Sequence, residues 1–113
     1  MAMLGLLLAL DATAAESKLS LARLKADADQ VWLLNEQGDN TEAGRQSGVL
    51  VRAADAFRDG GQLAEAREYY RRAGLVRPWD LEVKLRQADV LKHLGDVAGA
   101  RAVAKQVLKF AET

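Results

Sequence analysis

The sequence predicts an all-α chain of antiparallel helical hairpins. Three observations carry this. Alternating runs of β-branched and polar residues, the mark of half-buried strands, are absent, while alanine, leucine, arginine and glutamate dominate. Turn signals fall at Gly38-Asp39-Asn40, Gly60-Gly61, Arg77-Pro78-Trp79-Asp80 and Gly95-Asp96. The sequence also resembles itself at a shift of 34 positions, a period expected of helical repeats.

Five helices are expected. The first runs from about Ala12 to Gln37. Within it Leu21, Leu24, Ala28 and Val31 recur every three or four residues and form an apolar stripe, which Trp32, Leu33 and Leu34 widen. The second runs from Thr41, a suitable N-cap, to Arg58, with Gly44 and Gly48 as weak points. The third spans Leu63 to Val76 and stops before Pro78, because proline disfavours helix at the residue before it. The fourth follows the N-cap Asp80 and reaches Leu94. The last runs from Val97 to about Ala111, with Asp96 as its N-cap. Short links between them make antiparallel neighbours.

The shift of 34 places Ala54 on Ala88, Asp55 on Asp89, Phe57 on Leu91 and Arg58 on Lys92. It places Gly61 on Gly95, Leu63 on Val97, Ala66 on Ala100, Arg67 on Arg101 and Ala73 on Val107. Leu50, Ala53, Ala54, Phe57, Gly61, Ala66, Tyr70, Ala73 and Pro78 then follow, in spacing and type, a known pattern. Residues 47–113 resemble the tetratricopeptide repeat family, closely in Ser47–Asp80 and more loosely from Leu81. Lys84 and Gln87 stand where that family prefers apolar residues, and Ala104 where it prefers an aromatic. Polar substitutions in a last repeat suit a cap, since one face has no neighbour. Residues 1–46 depart from the register: Gly38 lies 23 residues before Gly61, not 34. The front is therefore read as an apolar segment with a non-repeat helix, and residues 47–113 as two hairpins.

The resemblance implies a fragment of a right-handed α-solenoid with a concave groove, lined by the first helix of each hairpin. On this chain the lining is Gly48, Val51, Asp55 and Arg58, then Glu82, Leu85, Asp89 and Lys92. Such grooves hold a peptide or a partner helix; alternatively these charges only solvate the face. Where some family members grip a terminal carboxylate with lysine and asparagine, this chain has Val51 and Asp55, which argues against that clamp. The stripe of Leu21, Leu24, Val31, Trp32 and Leu34 either caps the repeats or forms an oligomer seam, since two repeats make a small core. Arg67, Arg71, Arg72 and Arg77 with Glu65 and Glu68 read as a solvated face, with a surface for an acidic partner or phosphate as the alternative. Tyr69 is expected half exposed beside a buried Tyr70. Trp79 is expected to pack on Leu85 or else to anchor a partner, and His93 to be solvated or to sit at a helix C-terminus.

The 113 residues carry 16 basic and 16 acidic side chains, one histidine and no cysteine. That composition excludes a disulfide frame, a thiol nucleophile and a multi-histidine or thiolate metal site. A neutral chain lacks the broad positive field of nucleic-acid binders. Residues 1–46 nevertheless carry four basic and seven acidic residues, and residues 47–113 twelve and nine. Met1–Leu10 is apolar throughout. Ten residues are about half of a membrane span, and no basic residue precedes them as in a signal peptide. Packing of this segment is favoured over membrane contact. A cytoplasmic location is slightly favoured, with the cell envelope left open if residues 1–15 end a longer signal or anchor. No nucleophile elbow, phosphate loop or cofactor motif is present. The expectation is a non-catalytic module without metal or cofactor that binds another protein or peptide. The alternatives are a homo-oligomeric assembly subunit and a fragment of a larger enzyme or envelope complex.

Overall fold

A computed structural model describes residues 20–111. Among them the chain is helical throughout, with no strand. Helix α1 runs through residues 20–36. It is followed by α2 (Asn40–Gln46), α3 (Gly48–Asp59), α4 (Leu63–Val76), α5 (Leu81–His93) and α6 (Val97–Ala111). The expected start of the first helix at Ala12, and the apolar Met1–Leu10, lie outside the described residues.

One turn recurs three times, after α1, α3 and α5. In each, a glycine amide donates to the carbonyl three residues back: Gly38 to Asn35 (3.1 Å), Gly61 to Arg58 (3.0 Å) and Gly95 to Lys92 (3.0 Å). The next amide donates five residues back: Asp39 to Leu34 (3.0 Å), Gln62 to Phe57 (2.8 Å) and Asp96 to Leu91 (2.9 Å). These bonds satisfy the last carbonyls of each helix. They require a left-handed residue, and the three glycines have φ of 87°, 78° and 82°. The Gly38 turn thus repeats the later two locally, although its spacing from Gly61 is short.

The expected helix Thr41–Arg58 is two helices. Ser47 separates them while keeping helical dihedrals (φ −63°, ψ −17°). Its hydroxyl donates to the Gly44 carbonyl at 2.7 Å, and the Leu50 amide donates to the Ser47 carbonyl in a tighter, three-residue step. A serine bonding back to the preceding turn, flanked by glycines of low helix propensity, locally disrupts the ladder. The N-cap of α2 is Asp39 rather than Thr41: its carboxylate accepts from the Glu42 amide at 3.3 Å. The other caps lie where expected. Asp80 accepts from the Val83 amide (3.3 Å) and Asp96 from the Gly99 amide (2.9 Å).

The core lies between α1, α3, α4 and α5. Helix α3 buries Val49, Leu50, Ala53, Ala54 and Phe57, a stripe at helical spacing. Helix α4 buries Ala66, Tyr69, Tyr70, Ala73 and Val76. The alanines let α3 and α4 approach closely, while the Phe57 and Tyr69 rings stack with centroids 5.4 Å apart. Ala28 and Val31 of α1 and Ala43 of α2 join this cluster, so burial is continuous across residue 46. Tyr69 is only 5% exposed, against the expectation of half exposure, because α1 covers one side of α4 while α5 covers the other. Trp79 and Leu85 are 61% and 55% exposed, so neither side chain is buried.

Candidate partner-binding site

The α1 stripe faces its own chain. Val31 is buried, and Leu21, Leu24, Trp32 and Leu34 are partly buried against the core. A polar cluster fixes α1 on α4. Asp29 accepts from the Tyr69 hydroxyl (2.6 Å) and Arg72 (3.2 Å), with Lys25 at 3.0 Å. The guanidinium of Arg72 lies over both the Trp32 ring (5.4 Å) and the Tyr69 ring (5.1 Å), and Arg71 also reaches Trp32 (5.9 Å). Burial pushes the Asp29 carboxyl up, but the Tyr69 hydroxyl, Lys25 and Arg72 outweigh it and leave it below its ordinary value. Burial and the Asp29 bond raise the Tyr69 phenol. The expected solvated arginine face is thus partly structural. Arg71 and Arg72 both hold Glu68, whose carboxyl is lowered chiefly by Arg71.

The groove residues divide into two sets. Val51 is half-buried and, with Gly48, Glu82 and Arg86, lines a small cavity of about 210 Å³ between α3 and α5. Asp55 lies at the seam between hairpins and is engaged within the chain. It accepts from the Tyr70 hydroxyl of α4 and from Arg86 of α5 (2.6 Å), with Arg58 at 3.8 Å. Arg58 also reaches Asp59 (3.4 Å), and Arg86 holds Glu82 (2.6 Å). Tyr70 is fully buried; burial, then its bond to Asp55, raises its phenol far above the ordinary range. Asp55 and Arg58 therefore bind the fold together before they can bind anything else.

Leu85, Asp89 and Lys92 form the second set. With Ala88 of α5 and Val97, Ala100, Arg101 and Ala104 of α6, they line an open, mainly apolar notch of about 520 Å³. Asp89 meets His93 at 3.6 Å, and the His93 ring also reaches the Asp89 carbonyl (2.8 Å) at the end of α5. A third hollow, of about 410 Å³, lies where Asp27, Gln30 and Val31 of α1 face Val49 and Arg52 of α3.

The sequence reading missed Arg86, which reaches Asp55 across 31 positions. It noted Ala104 in place of an aromatic, where the 34-residue shift sets it on Tyr70, but not that this leaves the notch open. Among the described residues no group of three or more histidine, aspartate and glutamate side chains is placed to hold a metal ion. Among them also, no helix is long and apolar enough to cross a membrane. The chain matches no protein-family model and no curated protein.

Proposed function

We propose that the chain is a non-catalytic protein–protein interaction module of tetratricopeptide type, with α3–α4 and α5–α6 as its hairpins. The observation that carries this is the unequal finish of the two hairpins. The first is closed by Tyr70 and covered by α5, whereas the second leaves Leu85 and Val97 more than half exposed in an apolar notch. Contiguous exposed apolar surface on a soluble helical pair marks an interaction site. The repeated turn and the 34-residue correspondences support the family assignment. Burial of the α1 stripe within the chain supports capping over an oligomer seam.

The test is affinity capture from the native cell with mass spectrometry, using the full chain and two variants, Val51→Glu and Leu85→Glu. A specific partner retained by the native chain and lost by either variant is expected. No specific partner, together with a monodisperse monomer by light scattering, would overturn the reading. A stable homo-oligomer that Leu33→Glu dissociates would establish the self-assembly alternative, since Leu33 is the exposed leucine of α1.

A further inference from the structure

The first hairpin shows what closes such a seat. Tyr70 reaches from α4 toward α3 and gives its hydroxyl to Asp55. Helix α5 then lies across it, with Val83 and Val90 buried and Arg86 on Asp55 at 2.6 Å. The carboxylate and the small residues of that seat recur in the second hairpin, but among the described residues the aromatic and the covering helix with its arginine do not. Asp89 stands for Asp55, Ala88 for Ala54, Ala100 for Ala66, and Ala104 for Tyr70. The result is the notch of about 520 Å³. Asp89 is more than half exposed and pairs with the exposed His93 at 3.6 Å, while Lys92 and Arg101 line the same notch without an ion pair to Asp89.

From this geometry we infer that the α5–α6 notch seats an amphipathic helix of a partner protein, which supplies an aromatic side chain to fill the space above Ala104 and an arginine to pair with Asp89. The inference rests on the interaction-module reading and names the partner's chemistry. The carboxylate asks for a cation, as Asp55 does within the chain, and the apolar lining asks for a large ring. A second copy does not offer the repeat-equivalent helix for this role. The residues of this chain equivalent to Val83 and Arg86 are Val49 and Arg52 of α3. Val49 is 8% exposed and shares its hollow with Val31 of α1. Helix α1 therefore occupies the face a second copy would have to offer.

The experiment uses fluorescein-labelled peptides with the sequence of residues 80–94, carrying Val83→Trp or Val90→Trp, titrated into the full chain by fluorescence anisotropy. At least one tryptophan peptide is expected to bind saturably, about tenfold or more tighter than a scrambled peptide, as for a buried aromatic anchor. Arg86→Ala in the peptide and Asp89→Asn in the chain should each weaken it about tenfold. Ala104→Tyr should fill the notch, raise the melting temperature and abolish the tryptophan advantage. The inference is wrong if no tryptophan peptide exceeds the scrambled control, or if binding ignores both Ala104→Tyr and Asp89→Asn. It is also wrong if the free chain is a dimer that Ala104→Tyr dissociates, because the occupant is then a second copy. A native partner lost by Val51→Glu but indifferent to Ala104→Tyr would sink this inference and leave the module standing.

Discussion

Replacing Tyr70 separates the hydrogen bond at the hairpin seam from the space the ring fills. Tyr70→Phe keeps the ring and removes the hydroxyl that Asp55 accepts. Asp55 retains Arg86 at 2.6 Å, so the loss is that of one bond to a charged group, about 1.5–3 kcal/mol. Tyr70→Ala also empties a site with no solvent exposure, and truncating a buried aromatic ring costs about 3–5 kcal/mol beyond the lost bond. The gap between the two variants, about 3–5 kcal/mol, is therefore the ring's own share. Urea unfolding followed by far-ultraviolet circular dichroism measures both losses. With a slope of roughly 1–3 kcal/mol per molar urea, Tyr70→Phe should lower the midpoint by about 1 M. A Tyr70→Phe midpoint equal to that of the native chain would refute the role of the Asp55 bond. A Tyr70→Ala loss no larger than that of Tyr70→Phe would refute the filled seat, and with it the comparison to Ala104.

Three other outcomes are expected. The Asp29 carboxyl is lowered in the fold, so its contribution is full above its unfolded value, about pH 4, and is lost as pH falls through the lower folded value. Asp29→Asn should flatten the acid limb of a melting-temperature profile below about pH 4, and an unchanged limb would exclude this link. Gly61→Ala forces a side chain into a left-handed turn and should cost about 1 kcal/mol, read as a lower urea midpoint. Lys84, 8% exposed with its ammonium on Gln106 (3.1 Å), stands where the first hairpin has Leu50. Lys84→Met should leave the melting temperature unchanged or raise it, because a buried cation costs desolvation that a thioether does not.

Local signals carried the helices well where the chain settles its own ends. Helices α4 and α6 occupy the spans read from Gly61, Pro78 and Asp96. Long-range partners are where that reading stopped. Adjacent tyrosines on one helix look like one inside and one outside. Both are buried here because Asp29, 40 positions from Tyr69, draws α1 onto the second face. The break at Ser47 turns on a hydroxyl choosing a backbone carbonyl, which composition does not announce. Which of the expected groove residues are engaged within the chain was not legible. Asp55 and Arg58 were indistinguishable in sequence from Asp89 and Lys92, yet Tyr70 and Arg86 engage Asp55 across the hairpins, while Asp89 meets, among the described residues, only its own helix neighbour His93.

Helix α6 buries one large apolar side chain, Val103, to below a tenth of its surface, whereas α3 and α4 each bury several. Opening is governed by the free energy of the piece that opens, not of the whole molecule. Amide protons of α6 should therefore exchange through a low-energy excursion in which this helix lifts away while α1, α3 and α4 stay closed. The notch exists only while α6 is down. Any occupant's apparent affinity is its intrinsic affinity multiplied by that fraction of time, and its residence slows the exchange of α6 in return.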